Sequence, residues 1–243
     1  MNIPYSEDLW EGYRRLTFQL NEKKCYLVLP HKAVGNNWLL KTEYFGAFPN
    51  FELAMLERGW HLAYMETTTR WYKEIDSENK AALCRYLHEE FGLAEKCVCV
   101  GMSCGGMQAV YLAARHPACV KALYLDAPVL NLLSCPCNVG RTEPATMYPE
   151  FCEKTGMTLH DLVNYRNHPI DNVQPILDNR IPVMLICGDA DVIVPYDENG
   201  MVLSNILREA GHPFREILKP GCGHHPHGLE DPTPIIEFVE KYC

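Results

Sequence analysis

Apolar and polar positions alternate along the chain in two rhythms. "RLTFQL" and "CYLVLP", separated by the polar "NEKK", read as two strands joined by a turn. The long stretch "HKAVGNNWLLKTEYFGAFPN", with its glycines and asparagines, reads as a loop. "FELAMLERG" then has helical spacing and stops at glycine, and "WHLAYME" is a strand. "SENKAALCRYLHEEFG" is an amphipathic helix closing at Gly92, and "KCVCVG" is a short apolar run suited to a strand buried on both faces. "GGMQAVYLAARHP" is a helix that ends before Pro117. "VKALYLDAP" and "IPVMLICGDAD" are further buried strands, with the helix "ENGMVLSNILREAG" after the second. "REILKP" is the last strand, and "DPTPIIEFVEKYC", with proline in its first turn, is the last helix.

Strands that alternate with helices predict an α/β fold with a mostly parallel sheet covered on both faces. A single domain over 1–243 is expected. Between Val129 and Arg180 the rhythm breaks, over a stretch too long for an ordinary connection. It holds a helical piece around "TLHDLVNYR". The expectation is a cap or lid inserted at 131–179, over the carboxyl end of the sheet.

Composition narrows the function. Of 243 residues, 47% are hydrophobic and 22% charged, so a sizeable core can be buried. A net charge of -9 with no basic run excludes a nucleic-acid binder, because nothing offsets the phosphates. No apolar run approaches the roughly 18 residues of a membrane span. The opening "MNIPYSEDLWEGYRR" has neither the basic nor the apolar part of a signal peptide, so a cytoplasmic protein is expected. Several of the twelve cysteines sit in apolar strands, where they serve as small buried hydrophobes, and the expectation is mostly structural thiols in a reducing compartment. Cys135-Pro-Cys137 lacks the second pair of a zinc site. Composition leaves the oligomeric state open.

The chemistry concentrates at "VGMSCGGM", a Gly-x-Ser-x-Gly between a buried strand and a helix. In that context the turn holds the serine in a strained conformation with its hydroxyl projecting, so Ser103 is the candidate nucleophile. The backbone N–H of Cys104, one residue on, suits half of an oxyanion hole, and its thiol is the weaker rival nucleophile. No phosphate-binding glycine fingerprint is present. A serine needs a base, and the base an orienting acid, in the chain order Ser, Asp or Glu, His. "CGDADVIVP" supplies Asp191, with Asp189 as a turn residue and Asp126, ending "LYLDAP", in reserve. "GCGHHPHGLEDP" supplies His224, with His225 the alternative base and His227 on the substrate side. No acidic or cysteine cluster completes a metal site around these histidines, and no metal or cofactor is expected. The second oxyanion N–H is expected from His31 or Lys32, after the strand ending at Pro30. Trp38, Tyr44 and Phe45 in the same loop are candidates for the wall of the substrate pocket.

These residues together resemble the α/β-hydrolase-fold serine hydrolases. Within them, "WLLKTEYFGAFP" and "HHPHGLEDPTPI" are similar to compact bacterial esterase-like members, many from gut bacteria and often linked to polysaccharide breakdown. The resemblance runs over most of the chain beyond about residue 15. It implies hydrolysis of a small ester, such as an acetylated or otherwise acylated sugar, with no cofactor. Cys104 departs from the pattern, which has Arg or another larger residue after the serine. A small peptidase or amidase with the same triad, and an inactive binding protein of this fold, are the competing readings. A dehalogenase is excluded, because it needs Asp at position 103.

Overall fold

The computed structural model describes residues 3–139 and 147–243. Nine strands form one sheet: β1 (Tyr5–Trp10), β2 (Tyr13–Leu20), β3 (Lys23–Val28), β4 (Trp38–Lys41), β5 (His61–Met65), β6 (Cys97–Met102), β7 (Val120–Asp126), β8 (Val183–Gly188) and β9 (Phe214–Lys219). Their order across the sheet is β1-β2-β3-β5-β4-β6-β7-β8-β9. The first three are an antiparallel meander built on two-residue turns, Glu11-Gly12 and Asn21-Glu22, all at positive φ as twist-matched hairpin turns require. From β5 across to β9 every neighbouring pair is parallel.

The helices are α1 (Asn50–Glu57), α2 (Glu74–Phe91), α3 (Cys104–Arg115), α4 (Met147–Thr155), α5 (Leu159–Val163), α6 (Gln174–Asp178), α7 (Gly200–Glu209) and α8 (Thr233–Tyr242). Successive strand residues point to opposite faces, and the two faces are covered differently. Leu40, Cys99, Leu123 and Leu185 pack with α2, α3 and α7. Leu39, Val98, Val100, Tyr124 and Ile186 pack with α1 and α8. Burial on both sides is why β6 and β8 read as unbroken apolar runs.

Two strands differ from the expectation. β1 is absent from the sequence reading because its residues are mostly exposed and show no apolar alternation. β4 lies inside the stretch expected to be a loop, yet it sits between β5 and β6 near the middle of the sheet. Of the expected insertion 131–179, residues 140–146 lie outside the described residues. Phe151 of α4 and Leu162 of α5 pack with Cys104, Met107 and Tyr111 of α3, at the end of the sheet where β6 terminates.

β4 ends on a buried ion pair. Lys41 Nζ reaches Glu52 Oε1 at 2.5 Å and the Ala47 carbonyl at 3.1 Å. Both side chains are almost fully buried. This ties the segment after β4 to α1. Lys41→Met leaves the Glu52 carboxylate buried and uncompensated and is expected to cost about 3–5 kcal/mol in urea unfolding. Lys41→Met/Glu52→Leu should recover most of that loss; a double variant no more stable than the single one contradicts this account.

Burial also makes stability depend on pH. His212 donates Nε2–H to the Ile181 carbonyl at 2.6 Å, and burial lowers its pKa below the ordinary histidine value. Burial lowers His168 likewise. Above the unfolded value, about 6.5, such a ring is neutral in both states and has no effect. Below it the unfolded chain takes up a proton that the native ring refuses, so stability falls with pH until the native ring titrates. Replacing His212 with Gln, which can keep the hydrogen bond, should narrow the gap between unfolding midpoints at pH 7.5 and 5.5. An unchanged gap would remove His212 from the explanation.

Candidate active site

The carboxyl ends of the parallel strands share one end of the sheet, and the candidate residues follow them. Ser103 stands between β6 and α3 with φ 54° and ψ −121°, a backbone conformation that L side chains rarely adopt. Its N–H donates to the Asp126 carbonyl at 2.9 Å, and its own carbonyl accepts from Gly106 at 2.9 Å and Val129 at 3.1 Å. These bonds to β7 and its following loop hold the strained turn. A Cβ on Gly101 would stand 2.7 Å from the Gly105 carbonyl oxygen and from Gly106 Cα, so strand and helix approach this closely only through glycine.

Asp191 follows β8. Its Oδ1 accepts the N–H groups of Ile193 and Val194, both at 2.9 Å, which leaves Oδ2 facing His224. His224 follows β9, and its loop is fastened to the Asp191 loop from two sides. Asp189 accepts the Gly221 N–H at 2.6 Å, the turn role expected of it. At Gly188 a Cβ would lie 2.2 Å from the Cys222 carbonyl oxygen, so the two loops touch through backbone alone. The result is a continuous line: His224 Nδ1 is 2.7 Å from Asp191 Oδ2, and His224 Nε2 is 3.0 Å from Ser103 Oγ. With Nδ1 donating to the carboxylate, Nε2 is the acceptor for the serine proton.

The remaining candidates separate. The structure brings His224 to the serine, and His225 lies exposed beside it. Partial desolvation and then the two neighbouring imidazoles lower His225 below the ordinary histidine value. His227 donates Nδ1–H to Asp126 at 2.6 Å, and Asp126 also accepts the Gly228 N–H at 2.8 Å. The reserve acid is thus engaged in a second histidine–carboxylate pair beside the first. The Cys104 thiol is 1% exposed, and burial pushes it up to about 11, so it stays protonated near neutral pH. The Cys104 N–H, the first of α3, has no acceptor among the described residues.

His31, Lys32 and Trp38 are corrected. β3 runs antiparallel to β5, which is parallel to β4 and so to β6, so the segment after β3 lies at the end of the sheet opposite Ser103. His31 stacks there on Tyr13. Trp38 opens β4 at that same far end, almost fully buried, with its indole N–H on the Ala94 carbonyl at 2.8 Å. Neither oxyanion donor nor pocket wall can come from these positions. The segment at the correct end is the one after β4. There a Cβ on Gly105 would lie 3.2 Å from Glu43 Cβ and 3.5 Å from the Glu43 nitrogen, so the Glu43-Tyr44 backbone crosses the start of α3. Glu43 is buried, and burial raises its pKa above the usual carboxylate value. Tyr44, at φ 57°, packs with Trp71, Cys104, Phe151 and Val194 in an apolar cluster beside Ser103. Phe45 turns away and packs against Trp10, Tyr26 and Tyr64. Arg70 is ion-paired with Glu150 of α4, and nothing local in the sequence marks it.

Comparison with known proteins gives the family and the fold. Residues 57–242 match the prolyl oligopeptidase family, Peptidase_S9. A search of curated proteins gives no significant match. Among solved structures, dipeptidyl peptidase 4 of Porphyromonas gingivalis is similar at TM-score 0.65 and 13% identity, over 99% of this chain and 35% of that one. The acylaminoacyl peptidase of Pyrococcus horikoshii is similar at TM-score 0.63 and 13% identity, over 90% of this chain and 37% of that one. Est1E from Butyrivibrio proteoclasticus is similar at TM-score 0.61 and 16% identity, over 98% of both chains. The chain therefore spans little more than a third of either peptidase and nearly the whole of Est1E. All three likenesses are of the α/β-hydrolase fold. Among the described residues, no helix is long and apolar enough to cross a membrane.

Proposed function

The chain belongs to the prolyl oligopeptidase family, and from that premise we propose that this serine hydrolase cleaves a small carboxylic ester, with an acylated sugar as the substrate class. The observation that carries the reading is the hydrogen-bonded line from Asp191 through His224 to Ser103. Ser103 Oγ attacks the ester carbonyl as His224 Nε2 takes its proton. The imidazolium, stabilised by Asp191, returns the proton to the leaving alcohol. Water, deprotonated by the same imidazole, then clears the acyl-enzyme. The Cys104 N–H and an N–H of the Glu43-Tyr44 step hold the oxyanion, each donor typically contributing ~10²–10³ in rate. No cofactor enters these steps.

Tyr44, Trp71 and Phe151 belong to an apolar cluster beside Ser103 that would favour a small acyl group, and we read α4 and α5 of the expected insertion 131–179 as a cap, supported by their packing against α3. The ester class is what the resemblance to compact bacterial esterase-like members implies. The sugar comes from the resemblance of the "HHPHGLEDPTPI" and "WLLKTEYFGAFP" segments to esterases linked to polysaccharide breakdown. The second reading, a small peptidase or amidase with the same triad, draws on the family match and the two peptidase likenesses.

A fluorophosphonate probe should label the protein, and Cys104→Ala should keep both label and turnover. p-Nitrophenyl acetate should be hydrolysed with a far higher kcat/KM than aminoacyl p-nitroanilides. The reverse preference would assign the peptidase reading, and absence of label on folded wild-type protein would remove catalysis by Ser103 altogether.

A further inference from the structure

Beside the triad, three imidazoles converge: His224, His225 and His227 each offer a ring nitrogen, and these atoms lie within 4.8 Å of one another. The ring centroids form a nearly equilateral triangle, with separations of 4.9 Å, 4.8 Å and 4.9 Å. Three histidines on one tetrahedral zinc, at Zn–N distances of ~2.0–2.1 Å, would have centroids about 5.2 Å apart and nitrogens about 3.4 Å apart. The rings are therefore already spaced for a common ion. From separations of no more than 4.8 Å, drawing the nitrogens together needs at most about 1.4 Å of closure for any pair.

The carboxylates complete the pattern. His224 and His227 each present Nδ1 to a buried aspartate, Asp191 at 2.7 Å and Asp126 at 2.6 Å. A carboxylate on the far nitrogen is what orients metal-bound histidines and raises their basicity. It leaves Nε2 of both rings as the ligand atom. His227 Nε2 has no hydrogen-bond partner among the described residues, whereas His224 Nε2 faces Ser103 Oγ.

We propose that His224, His225 and His227 form an inhibitory site for a borderline divalent cation such as Zn²⁺, which shuts the hydrolase by occupying the lone pair that accepts the Ser103 proton. The inhibitory part rests on His224 being the base. Three neutral imidazole lone pairs and one water fill the coordination shell. No bond to carbon forms and no electron moves. Ser103 keeps its proton and turns its hydroxyl to water, so no nucleophile is generated until the ion leaves. Hard cations such as Mg²⁺, which take oxygen ligands, have no place in an all-nitrogen set.

The test uses the full chain freed of metal by a chelator. p-Nitrophenyl acetate hydrolysis is measured against buffered free Zn²⁺, and the visible spectrum is recorded on titration with Co²⁺. One Zn²⁺ per chain should inhibit, EDTA should restore activity, and Mg²⁺ should do nothing. Co²⁺ should give the intense visible bands of a tetrahedral site. His225→Ala removes a ligand that touches neither Ser103 nor an aspartate. It should hydrolyse at the wild-type rate, need at least ~10-fold more Zn²⁺ for half-inhibition, and lose the Co²⁺ bands. Equal sensitivity of His225→Ala and wild type to Zn²⁺, or Co²⁺ bands unchanged in His225→Ala, overturns the site. Metal-free protein that neither turns over ester nor takes the fluorophosphonate label would defeat the hydrolase reading instead, while the Co²⁺ bands and their loss in His225→Ala would still uphold the ion site.

Discussion

Ser103→Ala is expected to lower kcat by about 10⁵–10⁶-fold, with the fold intact and the fluorophosphonate label gone. The size follows from the way the triad acts as a unit: without the hydroxyl, His224 and Asp191 have no proton to move. What survives is the oxyanion donors and the pocket, typically ~10³–10⁴ over the reaction in water. Stability should barely change, because alanine keeps the Cβ and so meets the same strain at φ 54° and ψ −121°. Ser103→Gly isolates that strain. Glycine adopts this backbone freely, so it should unfold later than Ser103→Ala by about 1 kcal/mol, at the low end of what such a conformation costs. Alanine and glycine variants of equal stability would show that the turn is not strained. A Ser103→Ala protein that still takes the label would move the nucleophile elsewhere, with Cys104 first to be tested.

The elements that carry this chemistry were legible because their signals are local. "KCVCVGMSCGGM" announces a buried strand, a tight turn and a helix start in one run, and the same holds for "VMLICGDAD". The number of strands is not legible in the same way. β4 is four residues long, buried along its whole length and preceded by Asn36-Asn37, so it shows neither alternation nor a run long enough to register. Without it, the strand preceding the proposed oxyanion donor becomes β3 instead of β4. Because β3 is antiparallel to its neighbour, that exchange moves His31 and Lys32 to the wrong end of the sheet. Trp38 was lost with them, since a residue taken for part of a loop in fact opens a strand.

The histidines are a different case. Adjacent residues of one type in a loop carry no periodicity, so His224 and His225 are distinguishable only once the contacts of the loop with Gly188 and Asp189 are known. Asp126 and His227 each stand out singly in the sequence, but their pairing spans 101 positions and is visible only in three dimensions.

That pairing makes the acid the sharpest remaining test. Two aspartates each hold a histidine at hydrogen-bonding distance within one small region, yet only one of those histidines touches Ser103. Asp191→Asn should therefore lower kcat by about 10⁴-fold, the scale found when the corresponding acid is changed in a serine protease. The reason is the tautomer. In the Asp191→Asn variant the new amide oxygen is claimed by the N–H groups of Ile193 and Val194, as Asp191 Oδ1 is now. The amide NH₂ group then faces His224 Nδ1 and needs an acceptor there. The ring answers by carrying its proton on Nε2, toward Ser103, where it can no longer accept one. Asp126→Asn makes the same exchange on His227, which lies one ring further from the serine. Its cost should appear in the unfolding midpoint, through the lost charge-assisted bonds to His227 and Gly228, with kcat far less affected. If the two substitutions cut kcat alike while both proteins stay folded, the second pair is part of the catalytic machinery, and the division of labour between Asp191 and Asp126 drawn from the hydrogen bonds is wrong.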